Sequence, residues 1–202
     1  MTDTLYGEWT TLPPVDLLGS IALAVGVGWA SGLRLYLVIL LLGLVERFHW
    51  LSLPRGASVF AQPTLLVVAA VLSSIEFIAD KVPKFDSTWD KVHGFVRAPG
   101  GAFLAAAVVS GEGDLMLTVT AASIGFALAT GTHVAKATLR SAINVSPKSN
   151  ANVIVSSVEE ALVLAGFALL LVQPVAFLVL LAFFLGASCI AVFRLWRRAD
   201  EG

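Results

Sequence analysis

LLVVAAVLSSIEFIAD (residues 65–80) and NVIVSSVEEALVLAGFALLLV (residues 152–172) decide how this chain folds. Each is an apolar run that carries carboxylates inside it or at its end: Glu76 and Asp80 in the first, Glu159 and Glu160 in the second. An ionised group near a bilayer centre costs about 3 kcal/mol on insertion scales, so such groups usually face a protein interior and act there. The expected fold is all-α, a polytopic transmembrane helix bundle with a polar site built into it.

Composition supports that class. Of 202 residues, 57% are hydrophobic and 13% charged, and the mean hydropathy is +0.87. A soluble domain of this size has too much surface to cover with so few polar groups. A net charge of -1 offers no basic face, so no nucleic-acid partner is expected; the partner is the lipid bilayer. Cys189 is the single cysteine, which leaves no disulfide framework and no redox motif. The opening MTDTLYGEWTTLPPVD has neither Lys nor Arg and no cleavage site after a short apolar core, so no signal peptide is expected.

About six spans follow from the need for roughly 20 apolar residues per crossing. They run over residues 17–45, 64–80, 95–110, 115–137, 152–172 and 175–193, all within a single membrane domain, 1–202. The third is short and holds Arg97, Pro99, Gly100 and Gly101; broken or kinked helices of that kind are where transporters place binding sites. Lys81, Lys84, Lys91, Arg97, Lys136, Arg140, Lys148, Arg194, Arg197 and Arg198 fall on one side, against Arg47 and Arg55 on the other. The cytoplasmic side of a membrane protein is the basic one, which predicts a multi-pass protein of the inner membrane with both termini in the cytoplasm.

SSIEFIAD from Ser73 also aligns with SSVEEALV from Ser156, setting Glu76 over Glu159, and each follows a helix with a small-residue kink and a cation. Halves 15–112 and 113–198 with three helices each enter the membrane in opposite senses, which suggests a 3+3 inverted repeat.

The strings ASGLRLYL (30–37), EFIADKVPKFDSTWDKVH (76–93), RAPGGA (97–102), GTHVAKATLRSAINVSP (131–147) and VEEALVL (158–164) resemble domain-of-unknown-function family 4126, bacterial and plant membrane proteins. The resemblance covers nearly the whole chain and implies a compact polytopic membrane protein. It carries over no catalytic role. Its polar pattern matches at Arg34, Glu76, Asp80, Asp86, Trp89, Asp90, His93, Pro99, His133, Lys136, Asn144, Pro147 and Glu159.

The chemistry of those positions leaves alternatives open. Arg34 lies too far from either helix end to snorkel and needs an anion: Glu76 or Glu159 in a structural pair, or a substrate. His133 and Lys136 share a helical face, where an interhelical hydrogen bond competes with a titrating role. Asp86, Asp90 and His93, at i, i+4 and i+7, could hold a divalent metal or form an acid/base pair; an ordinary interfacial helix anchored by Trp89 is the favoured reading. INVSPKSNANV reads as a polar turn whose Ser149, Asn150 or Asn152 caps the next helix, or whose amides face an anion. Glu159 and Glu160 diverge by about 100 degrees, and Glu159 is the one expected to face the cavity.

No metalloprotease, P-loop or nucleophile-elbow motif occurs, and no cofactor other than such a metal is implied. The leading expectation is a small secondary transporter or channel-like permease for an ion, anion or lipid, its path lined by Arg34, Glu76, Asp80, His133, Lys136 and Glu159. Six short helices enclose little volume, so a homo-oligomer is expected. An interfacial enzyme acting on a lipid headgroup and a non-catalytic scaffold are the alternatives.

Overall fold

The computed structural model of the chain describes residues 16–51, 53, 55–81, 83–110, 113–144 and 150–200, with 55, 83–92, 144, 150, 195 and 198–200 described by their backbone alone. Six α-helices carry the described chain: α1 (Leu17–Arg47), α2 (Pro63–Ala79), α3 (Pro83–Ala107), α4 (Leu115–Asn144), α5 (Asn150–Val172) and α6 (Pro174–Asp200), with a 3-10 turn at Arg55–Ala61. The turn before α5, with Pro147 and Ser149, lies outside the described residues.

The helix starts follow local chemistry. Asp16 accepts a hydrogen bond from the Gly19 amide at 2.7 Å, and Asp114 accepts from Met116 and Leu117 at 2.8 and 3.2 Å, satisfying donors that a first turn leaves open. Pro63, Pro83 and Pro174 open α2, α3 and α6, where a missing N–H costs nothing.

The result is an all-helical membrane bundle. Among the described residues α1, α4, α5 and α6 are long and apolar enough to cross a membrane, whereas α2 is apolar but only 17 residues long. The third segment differs most from expectation: α3 begins at Pro83, so the polar stretch 83–94 is helical and continuous with the apolar one, through Pro99. Large apolar side chains such as Leu115, Phe103 and Phe183 lie exposed on the outside, as a lipid-facing surface requires.

α1 is the central helix and packs on all five others. It is also broken: Arg34 has φ -146° and ψ 77°, far from helical values. Ahead of the break, Gly28 lies on Gly125 and Gly32 on Ala129, so this arm runs in the same sense as α4; Gly94 against His133 and Gly101 against Gly125 set α3 opposite to α4. Past the break, Leu35 lies on Gly100 and Gly43 on Phe60, whose ring meets Phe103, while Gly56 lies on Ala107. The second arm of α1 therefore runs with α3 and turns back toward the end from which α1 entered.

α5 runs opposite to the first arm of α1, with Arg34 beside Ser156, Trp29 on Gly166 and Gly26 on Leu170. α6 returns beside it, Phe177 and Phe184 edge-on to Trp29. One correction follows from these senses. The start of α1 and the end of α6 lie at opposite ends of the bundle, where loop charge predicted one side for both. The loop count took α1 for a single straight crossing, and the turn at Arg34 removes that premise.

Close backbone approach holds the α1, α3 and α4 crossing. A Cβ at Gly125 would meet Ala105 and the Gly101 carbonyl, and one at Gly28 would meet Gly125 itself. Small residues at such points give membrane helices the packing that water cannot drive between them.

Candidate functional site

The charged side chains gather in two tiers beside the break in α1. In the outer tier, a single oxygen of Asp80, Oδ2, faces three cations: Lys136 Nζ at 2.8 Å, Arg34 Nη1 at 3.1 Å and Arg140 Nη2 at 3.5 Å. Glu159 Oε2 accepts from Arg140 at 2.9 Å, with Lys136 at 3.4 Å and Arg34 at 3.9 Å. Arg34 Nη2 also meets Glu160 at 3.0 Å and donates to Ser156 Oγ at 2.8 Å. Lys81 closes the edge, 3.4 Å from Glu160 and over the Phe77 ring.

The inner tier lies one helical turn along from the outer one, since Glu76 precedes Asp80 by four residues and His133 precedes Lys136 by three. Arg97 donates from Nη2 to Glu76 Oε1 at 2.8 Å, and its Nη1 lies 2.8 Å from His133 Nδ1. Beside it, the Tyr36 hydroxyl meets His93 Nε2 at 3.1 Å, with the rings edge-on.

Both tiers are dry. Arg34, Glu76, Asp80, Arg97, Lys136 and Arg140 are each at most 3% exposed. A buried ion pair pays heavily for lost hydration, and removing one partner of such a pair typically costs 3–5 kcal/mol. Polar atoms within this shell that lack a hydrogen-bond partner among the described residues include Arg34 Nε, Glu76 Oε2 and Asp80 Oδ1. The crowding on Asp80 Oδ2 beside an idle Oδ1 makes the outer tier an unevenly used network, with acceptor capacity to spare.

The break explains how the network assembles. Arg34 departs from helical geometry where α1 turns, and the Leu33 carbonyl beside it accepts from Lys136 Nζ at 3.3 Å. Likewise the Asp80 carbonyl, at the end of α2, accepts from Arg140 Nη1 at 2.8 Å. Cations thus satisfy backbone oxygens that irregular helix leaves open, the condition for non-helical backbone at membrane depth.

All six expected path residues take part in these tiers, with altered pairings. Arg34 was expected to pair with Glu76 or Glu159; its closest carboxylates are Glu160 and Asp80, while Glu76 belongs to Arg97. Glu160 reaches the network as well as Glu159, because the turn of α1 brings Arg34 to the edge between the two. Arg97 and Arg140, counted as loop charges by position, are buried members of the tiers. The available signal was spacing: Arg140 follows Lys136 by four residues, and Arg97 follows His93 by four, each on one helix face.

The metal expectation does not gain a site. Among the described residues no three His, Cys, Asp or Glu side chains form a ligand set. His93 is turned into the bundle on Tyr36, and the side chains of Asp86 and Asp90 lie outside the described residues.

A family model described as Domain of unknown function (DUF4126) matches residues 21–197, which contain every member of both tiers. No curated protein and no solved structure matches the chain. A match over that span makes the chain a member of the DUF4126 family.

Proposed function

We propose that this protein is a small membrane permease, in which a charged cargo or coupling ion passes the outer tier by exchanging ion-pair partners around Arg34. The observation that carries the proposal is the coincidence of the break in α1 with the shared network: the one non-helical residue inside α1 is also the cation that meets Asp80, Glu160 and Ser156. Broken helices mark binding sites in transporters because they free backbone groups and let two arms move against each other. In a network where each carboxylate already has several cations within reach, one partner can leave without stranding a charge. Asp80 and Glu159 are the groups to carry coupling protons or cations, and Arg34 with Lys136 meets negative charge.

The same proposal sets the orientation. The end of the bundle holding Lys81, Arg140, Arg194 and Arg197 faces the cytoplasm of the inner membrane, and the start of α1 faces away, in keeping with the bias of cytoplasmic loops toward Lys and Arg.

Purified protein in vesicles loaded with a pH-sensitive dye tests the coupling. Under an imposed pH gradient the wild type dissipates the gradient faster than empty vesicles, and Asp80→Asn and Glu159→Gln bring the rate back to that baseline. A wild-type rate equal to that of empty vesicles, at several lipid compositions, contradicts proton coupling; wild-type rates in both variants contradict the residue assignment.

A further inference from the structure

Between α2 and α5 the bundle has a side opening. The two helices make no extended contact among the described residues, and a cleft of about 190 Å³ lies between them, lined by Arg34, Leu37, Ser73, Phe77, Glu160 and Leu164. Its lips and its floor differ in kind. Phe77 and Leu164 are 45% and 48% exposed on the lipid-facing surface, whereas Arg34 at the floor is 2% exposed and has an Nε with no partner. Lys81 spans the rim, its ammonium over the Phe77 ring and 3.4 Å from Glu160.

A water-soluble solute gains nothing from an apolar mouth that opens into hydrocarbon. An apolar molecule gains nothing from Arg34 and Glu160 inside the cleft or from Lys81 at its rim. The arrangement suits a molecule with both parts. The volume is below the roughly 300 Å³ at which pockets enclose a whole drug-sized ligand, so it fits a headgroup whose tail stays in the bilayer.

We propose that this cleft is a lateral binding site for a glycerophospholipid, with the phosphate against Arg34 and Lys81 and the first acyl carbons between Leu37, Phe77 and Leu164. An entering phosphate competes with Glu160 for both cations, which is the partner exchange already built into the outer tier, and it gives Arg34 Nε an acceptor. Arginine presents donors in a planar fork that suits phosphate. Glu160 lies ten residues from the start of α5, about 15 Å along the helix, so a headgroup held there sits below the plane of its own leaflet's headgroups. The binding stands on the cleft alone; that the bound lipid is the cargo rests on the permease proposal.

The test uses the full chain in phosphatidylcholine vesicles doped with a phospholipid carrying a photoactivatable group near the start of one acyl chain, with peptides mapped after irradiation. The expected result is labelling at Phe77 and Leu164 about tenfold above that at Phe183, an annular position on α6. Leu164→Trp, which fills the cleft from a lipid-facing position, removes the excess and leaves labelling at Phe183 unchanged. A diacylglycerol with the same photoactivatable chain and no phosphate shows no excess. Equal labelling at the cleft and at Phe183, or an excess that survives Leu164→Trp or is matched by the diacylglycerol, overturns the site. Proton flux recorded in the same vesicles separates the two proposals: cleft labelling without flux keeps the lipid site and removes proton coupling, and flux without labelling keeps the coupling and removes the lipid site.

Discussion

The inner and outer tiers use the same chemistry in opposite ways. In the inner tier Glu76 meets one cation among the described residues, Arg97, whose other terminal nitrogen lies against His133. In the outer tier Asp80 and Glu159 are shared among Arg34, Lys136 and Arg140, at distances from 2.8 to 3.9 Å. A carboxylate held by one cation is a clamp: opening the pair strands it. A shared network is a switch, because a carboxylate that loses one cation keeps another. The break at Arg34 belongs to the outer tier alone, so movement is expected there and rigidity one turn further in.

Asp80→Ala should have the largest effect on stability, since it leaves three buried cations facing a lost carboxylate; thermal unfolding in detergent should show a loss of about 4 kcal/mol. A loss under ~1 kcal/mol would mean that Glu159 alone can hold those cations, and the outer tier would be less centred on Asp80 than its distances imply.

Glu76→Gln should cost slightly less, about 3 kcal/mol, and the double variant with Arg97→Gln should recover most of it, because removing both partners of a buried pair leaves no stranded charge. No single second substitution among Arg34, Lys136 and Arg140 should rescue Asp80→Asn to the same extent. Double-mutant cycles read that difference directly. Equal rescue in both tiers would erase the distinction between clamp and switch.

Gly125→Ala should follow, at about 1–3 kcal/mol, because a methyl group there meets Ala105 and the Gly101 carbonyl. Its effect should fall on unfolding and leave the pairing energies of both tiers as they were. The smallest effect belongs to Lys81→Ala. Its ammonium is partly exposed, and pairs of that kind contribute less than ~1 kcal/mol. The melting temperature should barely change, while labelling of Phe77 by the photoactivatable phospholipid falls.

Much of this was legible in the sequence, and the limits have physical causes. Glu76, Asp80 and Glu159 announce themselves because a carboxylate in an apolar run has few reasons to be there. Most helix positions follow from apolar length, whereas the start of α3 at Pro83, well ahead of its apolar part, does not. The family follows from polar strings that survive within apolar helices. Arg97 and Arg140 were harder, because a cation near a loop reads as a topology signal and only the turn of a helix shows that it points inward. Hardest was the course of α1: GWASGLRLY shows small residues and a cation, but no local rule converts them into a reversal of direction at Arg34. The number of spans and the sides of the termini both depend on that one residue.

Thr132 gives the most direct test of the switch. It sits on α4 next to His133 of the inner tier, against Gly32, 4% exposed, with a hydroxyl that has no partner among the described residues. With the exposed Cys189 replaced by Ser and a single cysteine at Thr132, a membrane-impermeant thiol reagent is added to sealed vesicles from one side and then from the other. A permease that works around Arg34 brings water to this position alternately, so labelling is expected from both sides. Labelling from one side only, or from neither, in protein that still unfolds at the wild-type temperature, would contradict that account and make both tiers structural clamps.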